Sequence, residues 1–386
     1  MHEELREALT DARWQAGPLY IDPWIGIREL TWVDNVFAAN GDEVSDFTTT
    51  VGAGLRFFVP VGNSTVLAAS ALPEYNWWAD LEERRRLNGR YAAGLFTETN
   101  RLTLELEGRL EETQTIVTPQ IEQRINQRLE QIRGDVEFRL YRSLRLFAEG
   151  SNSTFENLLD ELPRELVPQF TALDRDEDVL RAGLRFSIYD RLHLGFGVED
   201  SEVTFADRAF DVSNSGTAPV FELEFDNEQF LFLLDLAWRD LEPLAGSDFV
   251  PYDDMTGSAT LTIDVNDDFR LSGYGRRNLI YAIGSQFAYF GDDTLGVSIG
   301  RRVKERMRVR LFAETADHDY VPRPGFEDER QDDVTQIGAA FSFDWSDALT
   351  FVLQGGVTDV DSSIDFFDRE TTFVSLSLSF NELAWP

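Results

Sequence analysis

The sequence predicts an all-β protein: a single transmembrane antiparallel β-barrel of about 18 strands, with short periplasmic turns and long acidic extracellular loops. Three observations support this prediction. Apolar and polar residues alternate with a period of two along most of the chain, and short connections alternate with long ones. No run of about 20 apolar residues exists that could form a membrane-spanning helix, whereas alternating strands of about 9 to 11 residues can cross a bilayer.

The alternation gives each predicted strand one apolar and one polar face. In one example, Leu180, Leu184 and Ile188 share a face, and Arg181 and Arg185 share the other. In chain order, the predicted strands span residues 18–32, 47–60, 64–74, 87–99, 102–116, 131–141, 144–156, 178–189, 191–205, 218–226, 229–241, 257–266, 269–282, 292–303, 306–319, 332–345, 348–360 and 371–381.

The connections follow a strict order. A long polar or acidic loop follows each odd-numbered strand, and a tight turn such as VGNS, YRSL or WSDA follows each even-numbered one. Outer-membrane barrels have this asymmetry, with the short turns on the periplasmic side. Tyr141, Tyr189 and Trp345 precede short turns and would lie in an aromatic girdle, and Trp77 and Trp78 would belong to the opposite girdle.

A short sequence that occurs twice fits the same pattern of strands and turns. LRLFAEG (144–150) and VRLFAET (309–315) each follow a short turn and open a strand. Leu144, Leu146, Val309 and Leu311 would face lipid, and the Arg and Glu residues between and after them, Arg145, Glu149, Arg310 and Glu314, would face the inside of the barrel.

Residues 118–134, TPQIEQRINQRLEQIRG, fit two interpretations. Ile121, Ile125 and Leu129 have helical spacing, with Pro119 at the first helical position, which favours an extracellular helix. Clear strands on both sides instead favour extended strands that project beyond the membrane, with a break near Glu130 where the apolar phase changes. We slightly favour the extended interpretation.

The N-terminal end differs from the rest. We expect residues 1–17 to form a short periplasmic segment, with one helical turn within 3–13, and residues 18–386 to form the barrel. The first residues carry acids where a signal peptide needs an apolar stretch. We therefore expect the signal peptide of an outer-membrane protein to have been removed or replaced.

Three stretches carry a family resemblance: IDPWIGIRELTWVDNVF (21–37), the strand openings with a turn followed by Leu-x-Leu, and FVSLSLSF (373–380). The chain resembles the outer-membrane β-barrel porins found with exopolysaccharide gene clusters. The resemblance covers nearly the whole chain and implies a barrel of about 18 strands with porin or polysaccharide-export activity. The ending departs from a terminal aromatic residue, so the assembly signal would involve Leu378 and Phe380 or Trp385.

Composition excludes several classes of function. The chain has 70 acidic and 35 basic residues and a formal net charge of -35, which disfavours nucleic acid and anionic membrane surfaces as partners. It has no cysteine, which excludes disulfides, thiolate metal sites and cysteine nucleophiles. Lys304 is the single lysine, so arginine supplies almost all of the positive charge.

Alternation directs many charged side chains to the inside of the barrel, because an arginine facing lipid at the bilayer midplane would cost about 2–4 kcal/mol. As a set they would form a transverse field or selectivity ring, and individually they would form a hydrated wall of cross-strand ion pairs. The predicted pore-lining residues are Glu105, Glu107, Arg109, Arg133, Glu137, Arg139, Arg145, Glu149, Arg181, Arg185, Arg276, Arg308, Arg310 and Glu314.

We predict no catalytic residue, metal site or cofactor. His193 would be an ordinary polar residue in the lumen and His318 one in a loop, and no histidine pair has metal spacing. The acidic runs 174–178, 248–254 and 326–333 lack EF-hand spacing and are expected to be solvated surface. No GxSxG, phosphate-binding loop or CxxCH occurs, so the protein is not expected to be an enzyme.

The leading functional hypothesis is an outer-membrane channel in a Gram-negative bacterium that passes polar solutes, with cations or saccharides preferred over anions. Two alternatives remain: an exopolysaccharide export or assembly component that docks periplasmic partners, and a structural barrel or sheath for a surface or electron-transfer complex. Outer-membrane lipid is the expected surrounding. The sequence does not define the solute, the oligomeric state or whether a loop constricts the pore.

Overall fold

The computed structural model describes residues 9–10, 12–36, 44–158, 171–189, 191–227, 229–283, 286–346 and 348–380. No helix in this described part is long and apolar enough to cross a membrane. Its strands are β1 (Trp14–Ala16), β2 (Leu19–Val33), β3 (Asp46–Val61), β4 (Thr65–Trp78), β5 (Arg86–Glu98), β6 (Leu102–Thr118), β7 (Ile121–Tyr141), β8 (Leu144–Leu158), β9 (Arg175–Tyr189), β10 (Leu192–Phe205), β11 (Asn214–Asp226), β12 (Phe230–Pro243), β13 (Tyr252–Asn266), β14 (Phe269–Tyr281), β15 (Phe287–Lys304), β16 (Met307–Pro322), β17 (Gln331–Ser346), β18 (Leu349–Ser362) and β19 (Arg369–Phe380).

The sheet is closed. Each strand from β2 onward pairs antiparallel with the next, and β19 pairs back onto β2 through Phe380 with Ile25 and Val374 with Trp32. The predicted fold class is therefore confirmed: the chain forms a closed antiparallel barrel of 18 strands. The short β1 adds a hairpin to the first strand, with Trp14 opposite Ile21. Closure satisfies the backbone hydrogen bonds that no water could satisfy inside a bilayer.

The predicted strands are all present, with ends shifted by a few residues in most cases. The largest difference is in β7, which begins at Ile121 rather than near residue 131. The extended interpretation of 118–134 is thus confirmed and the helical one is wrong. The strands also extend further into the acidic runs than predicted, since residues 175–178, 252–254 and 331–333 lie within strands.

The expected break near Glu130 is absent. The register between β6 and β7 runs without a shift through Gly108 opposite Ile132 and Leu110 opposite Glu130. What changes there is the environment of the outward face. Ile132 is 62% exposed on that face, whereas Arg128, four residues earlier on the same face, binds Glu112 on β6. The strand pairing therefore continues unchanged past the end of the apolar band.

The outward face carries an apolar band of the height that a bilayer requires. On β6 the band runs from Leu102 to Leu110, about nine residues, which matches a membrane-crossing strand. Across the barrel, Leu295 and Val297 are 65% and 62% exposed on the outward face of β15. Exposed apolar side chains in such a band are expected on the lipid-facing surface of a membrane barrel.

The aromatic residues follow the prediction except at one position. Tyr141, Tyr189 and Trp345 are exposed at strand ends beside short turns. Trp77 lies on the same face of β4 as the exposed Tyr75. Trp78 points the other way: it is 1% exposed and lies under the guanidinium of Arg84. Its assignment to a girdle was wrong because adjacent strand residues face opposite sides.

A substitution in the band tests the assignment of faces. Val297→Arg should lower the free energy of unfolding by about 2–4 kcal/mol, because it places a charge against hydrocarbon. Ser298→Arg, on the opposite face of the same strand, is the control and should cost much less. Denaturant unfolding of the barrel in lipid vesicles measures both, and equal losses would contradict the assignment.

Candidate functional site: the charged inner wall

Contacts that skip strands identify the inner face of the barrel. Arg181 on β9 lies 3.0 Å from the Asp235 carboxylate on β12, and Arg185 on β9 lies 3.0 Å from the Glu137 carboxylate on β7. Neighbouring strands are about 4.8 Å apart, so these side chains meet from backbones about 10–14 Å apart. Such distances are bridged on the concave side of a closed sheet, where side chains converge.

Arg185 is the centre of one half of this wall. Its guanidinium lies 3.0 Å from Glu137, 2.6 Å from Glu149 and 2.8 Å from Glu222. Glu137 also binds Arg145, at 2.9 Å. A planar guanidinium presents five donors in a rigid fork, so Arg185 can bind carboxylates from three strands at once.

Arg181 is the centre of the other half. It binds Glu199 at 2.8 Å, Asp235 at 3.0 Å and Glu222 at 3.3 Å. Glu199 also binds Arg239, at 2.8 Å. Because Glu199 is only 2% exposed, its charge needs both guanidinium partners to offset lost hydration. We call the whole set the β7–β12 charge network: Glu137, Arg145, Glu149, Arg181, Arg185, Glu199, Glu222, Asp235 and Arg239.

A basic patch lies on the inner face of β14–β16. It comprises Arg270, Arg302, Arg308 and Arg310, which line a cavity of about 600 Å³ near the short turns together with Asp264, Asp267 and Asp268. Arg270 binds Asp264 through two hydrogen bonds of 2.7 and 3.0 Å, and Arg308 binds Asp344 at 2.9 Å. The Arg310 guanidinium lies 5.5 Å from the centre of the Phe312 ring.

The inner face of β6 carries the opposite charge. Arg109 binds Glu107 at 2.8 Å and Glu111 at 3.5 Å, and Glu105 extends the same row. In the strand order, β15 is nine strands along from β6, which is half of the 18-strand ring. An acidic strand therefore faces the basic patch across the barrel.

The remaining predicted residues share this face, as the pairing register shows. Arg133 is opposite Glu107, Arg139 is opposite Arg145, and Glu314 is opposite Gln336. Arg276 binds Asp292 at 3.2 Å at the extracellular end of the wall. The structure brings Glu137, Arg145, Glu149, Arg181 and Arg185 into the network and leaves the others spread around the ring; their pore-lining role stays a prediction.

A hairpin crosses the extracellular mouth. The tip between β6 and β7 consists of Pro119 and Gln120. The Gln120 amide donates to the Ile283 carbonyl at 3.2 Å and its oxygen accepts from the Ile283 amide at 2.6 Å. Arg369, at the start of β19, donates to the Pro119 carbonyl at 3.0 Å. We call residues 112–128 the mouth hairpin.

The base of the mouth hairpin is held by other contacts. Arg84 stacks on Trp78 and donates to the Arg124 carbonyl. The Asn88 side chain donates to Asn126 at 2.9 Å, and Ile125 is buried. The hairpin is therefore anchored where it leaves the wall and bound again at its tip.

His318 does not lie in a loop as expected. It is in β16, 2% exposed, with Nε2 3.3 Å from the Asp292 carboxylate and its ring 5.0 Å from that of Phe290. His193 has Nδ1 2.9 Å from the Ser187 hydroxyl, an ordinary polar contact. Among the residues that the structure describes, no group of three or more His, Asp or Glu side chains could hold a metal ion.

An apolar cluster covers another part of the inner face. Phe58, Val66, Ala68 and Phe96, on β3–β5, are buried, and Leu9 of the N-terminal segment packs on them. The division at residue 17 stays a prediction. Most of the segment, including most of the expected helical turn, and the C-terminal residues 381–386 with Trp385 lie outside the described residues.

Comparison with known proteins identifies solved structures that share the fold of this chain. No protein-family model and no curated protein sequence matches the chain. Solved structures do: OpdQ of Pseudomonas aeruginosa matches with TM-score 0.55 and 11% identity over 95% of this chain and 98% of that one. This chain has the fold of the outer-membrane porins.

Two further solved structures with the porin fold match the chain with similar TM-scores and identities. OccAB3 of Acinetobacter baumannii gives TM-score 0.54 and 9% identity, covering 93% of this chain and 99% of that one. OccK2 (OpdF) of Pseudomonas aeruginosa in complex with glucuronate gives 0.55 and 11%, covering 94% and 98%. The TM-scores establish the shared barrel, and identities this low leave the inner wall of this chain to be interpreted from its own residues.

Some residues of this porin-fold wall were missed by sequence reasoning. Asp235 and Arg239 belong to the network, yet they lie in FLFLLDLAWRDLE, where apolar residues occupy both faces and hide the alternation. Arg270 and Arg302 lie within one to three residues of a strand end, where boundaries are least certain. The available signal for Asp235 was its position as a charged residue with apolar residues on both sides in the strand.

Removing a network centre should destabilise the barrel. Arg185→Ala leaves Glu137, Glu149 and Glu222 without a shared partner, and we expect a loss of about 1–3 kcal/mol in the free energy of unfolding. Arg308→Ala is the control: its side chain is 58% exposed with Asp344 as its ion-pair partner, so the loss should stay below about 1 kcal/mol. Urea unfolding in vesicles compares them. Equal losses would show that the network centre stabilises the barrel no more than an exposed ion pair does.

Proposed function

We propose that this protein is an outer-membrane channel that passes polar solutes along its charged inner wall. The observation that carries the proposal is the wall itself: a closed 18-strand barrel with a nine-membered charge network inside and apolar residues outside. Charges directed inward are hydrated by a water-filled lumen, and barrels of 16 to 18 strands are wide enough to hold one.

The predicted pore-lining residues would act as a set. Acidic β6 and the basic patch face each other, so a solute between them would experience a field across the bore rather than one uniform sign. Both donors and acceptors are available along the wall, which suits hydroxyl-rich or dipolar solutes. This supports the saccharide part of the sequence-based expectation more than a simple cation preference. The glucuronate complex of OccK2 is consistent with a sugar-sized polar solute in this fold.

The exopolysaccharide association and periplasmic partners belong to an alternative role in export or assembly. A deletion strain with unchanged surface polysaccharide would contradict that role. A structural sheath role would require a co-purifying surface or electron-transfer protein. We prefer the channel role because it requires only the charged inner wall, whereas each of the two alternatives requires a partner protein.

Charge substitutions test the channel in planar bilayers. Glu105→Gln with Glu107→Gln should shift the reversal potential in a salt gradient toward anion preference, and Arg308→Gln with Arg310→Gln should shift it toward cations, because each removes one side of the field. Glu112→Gln, on the outward face of β6, is the matched control and should leave the potential unchanged.

Two results would contradict the proposal. One is the absence of channel events in the wild-type protein and in the double variant Gln120→Ala/Arg369→Gln, which removes the bonds that hold the tip of the mouth hairpin. The other is equal reversal potentials in all charge variants of a conducting barrel, which would show that the inner wall does not line the conduction path.

A further inference from the structure

The mouth hairpin is bound to two distant points of the rim. Ile283 lies between β14 and β15, and β14 is eight strands along from β6 in the ring of 18. Arg369 begins β19, five strands away in the other direction. The tip at 119–120 therefore spans the opening instead of lying along its edge.

Among the described residues, three specific hydrogen bonds join the tip to the rim. The Gln120 side chain meets both the amide and the carbonyl of Ile283, as a neighbouring peptide group would, so the contact requires a defined position of the tip. Arg369 adds one further bond. Each hydrogen bond changes an equilibrium by roughly 2- to 10-fold, so three bonds can be broken and remade reversibly.

The backbone bends just below this tip. The β6–β7 register is regular from Leu102 to Ile116 and shifts between Ile116 and Thr118. A register shift interrupts the ladder and lets a strand bend. Below it, Asn88 and Arg84 hold Asn126 and the Arg124 carbonyl at the base. Along the mouth hairpin, the base is held in place, the joint above it is irregular, and the tip is held by a few directional bonds.

We infer that residues 118–120 are a gate, closed by the bonds of Gln120 to Ile283 and of Arg369 to Pro119. The inference rests on the proposed channel function and adds its regulation. With the bonds formed, the tip crosses the solute path at the extracellular mouth. With the bonds broken, the tip turns about the joint at 116–118 and the path opens.

Crosslinking tests the closed state, since the chain contains no cysteine that could compete. The pair Gln120→Cys/Ile283→Cys joins the tip to the far rim when oxidised. Oxidation should lower conductance and liposome swelling with saccharides by about 10-fold or more, and dithiothreitol should restore them. The control pair Gln127→Cys/Asn157→Cys replaces a 3.1 Å hydrogen bond between adjacent strands and should not change either readout.

Release of the gate is tested by Gln120→Ala combined with Arg369→Gln. The open fraction in single-channel records should rise by about 10-fold, because the bonds that hold the tip are lost. Gln127→Ala and Arg128→Gln are matched controls on the same hairpin that leave the tip bonds intact.

The outcomes separate the two proposals. Crosslinked and released barrels that conduct like the wild type would overturn the gate and leave the channel standing. Folded barrels that never conduct, even when reduced or released, would overturn the channel. Conductance that falls on crosslinking, recovers on reduction and rises in the release variant would support both.

Discussion

Closure of the hydrogen-bonded ladder is the constraint on which the other features depend. Inside a bilayer each backbone N–H and C=O needs a protein partner, and the pairing of β19 with β2 supplies the last set. Once the sheet is closed, alternation divides every strand between lipid and lumen. The apolar band and the charge network are then two consequences of one geometry.

The potential at the inner wall depends on which charges are buried and paired, as well as on how many acidic and basic residues the wall contains. Carboxylates such as Glu199 and Asp22 are almost fully buried on the inner face, and each has a guanidinium partner, Arg181 or Arg239 for the first and Arg56 for the second. Arginine stays protonated at any physiological pH, so this pattern is stable where histidine would titrate. The net charge of -35 therefore does not measure the potential in the bore.

The fold could be predicted because its signals are local. Alternation within a strand and the length of a connection are visible in a few residues, so every barrel strand was found. The network partners of Arg181 could not be predicted, because Asp235 reaches it from three strands away through the curvature of the closed sheet. His318 lies at the end of the predicted strand 306–319 and was assigned to the following loop, because Asp317 and Asp319 beside it resemble a loop; the strand instead continues to Pro322.

The mouth hairpin is a continuation of the wall rather than an inserted domain, and this has a consequence for folding order. Strands β6 and β7 are joined by a two-residue tip, so their long ladder forms from local contacts, which are the fastest to assemble. The seam between β2 and β19 joins opposite ends of the chain and requires the slowest loop closure. The hairpin can thus be complete while the barrel is still open, and its tip finds Ile283 and Arg369 only after closure brings the far rim within reach.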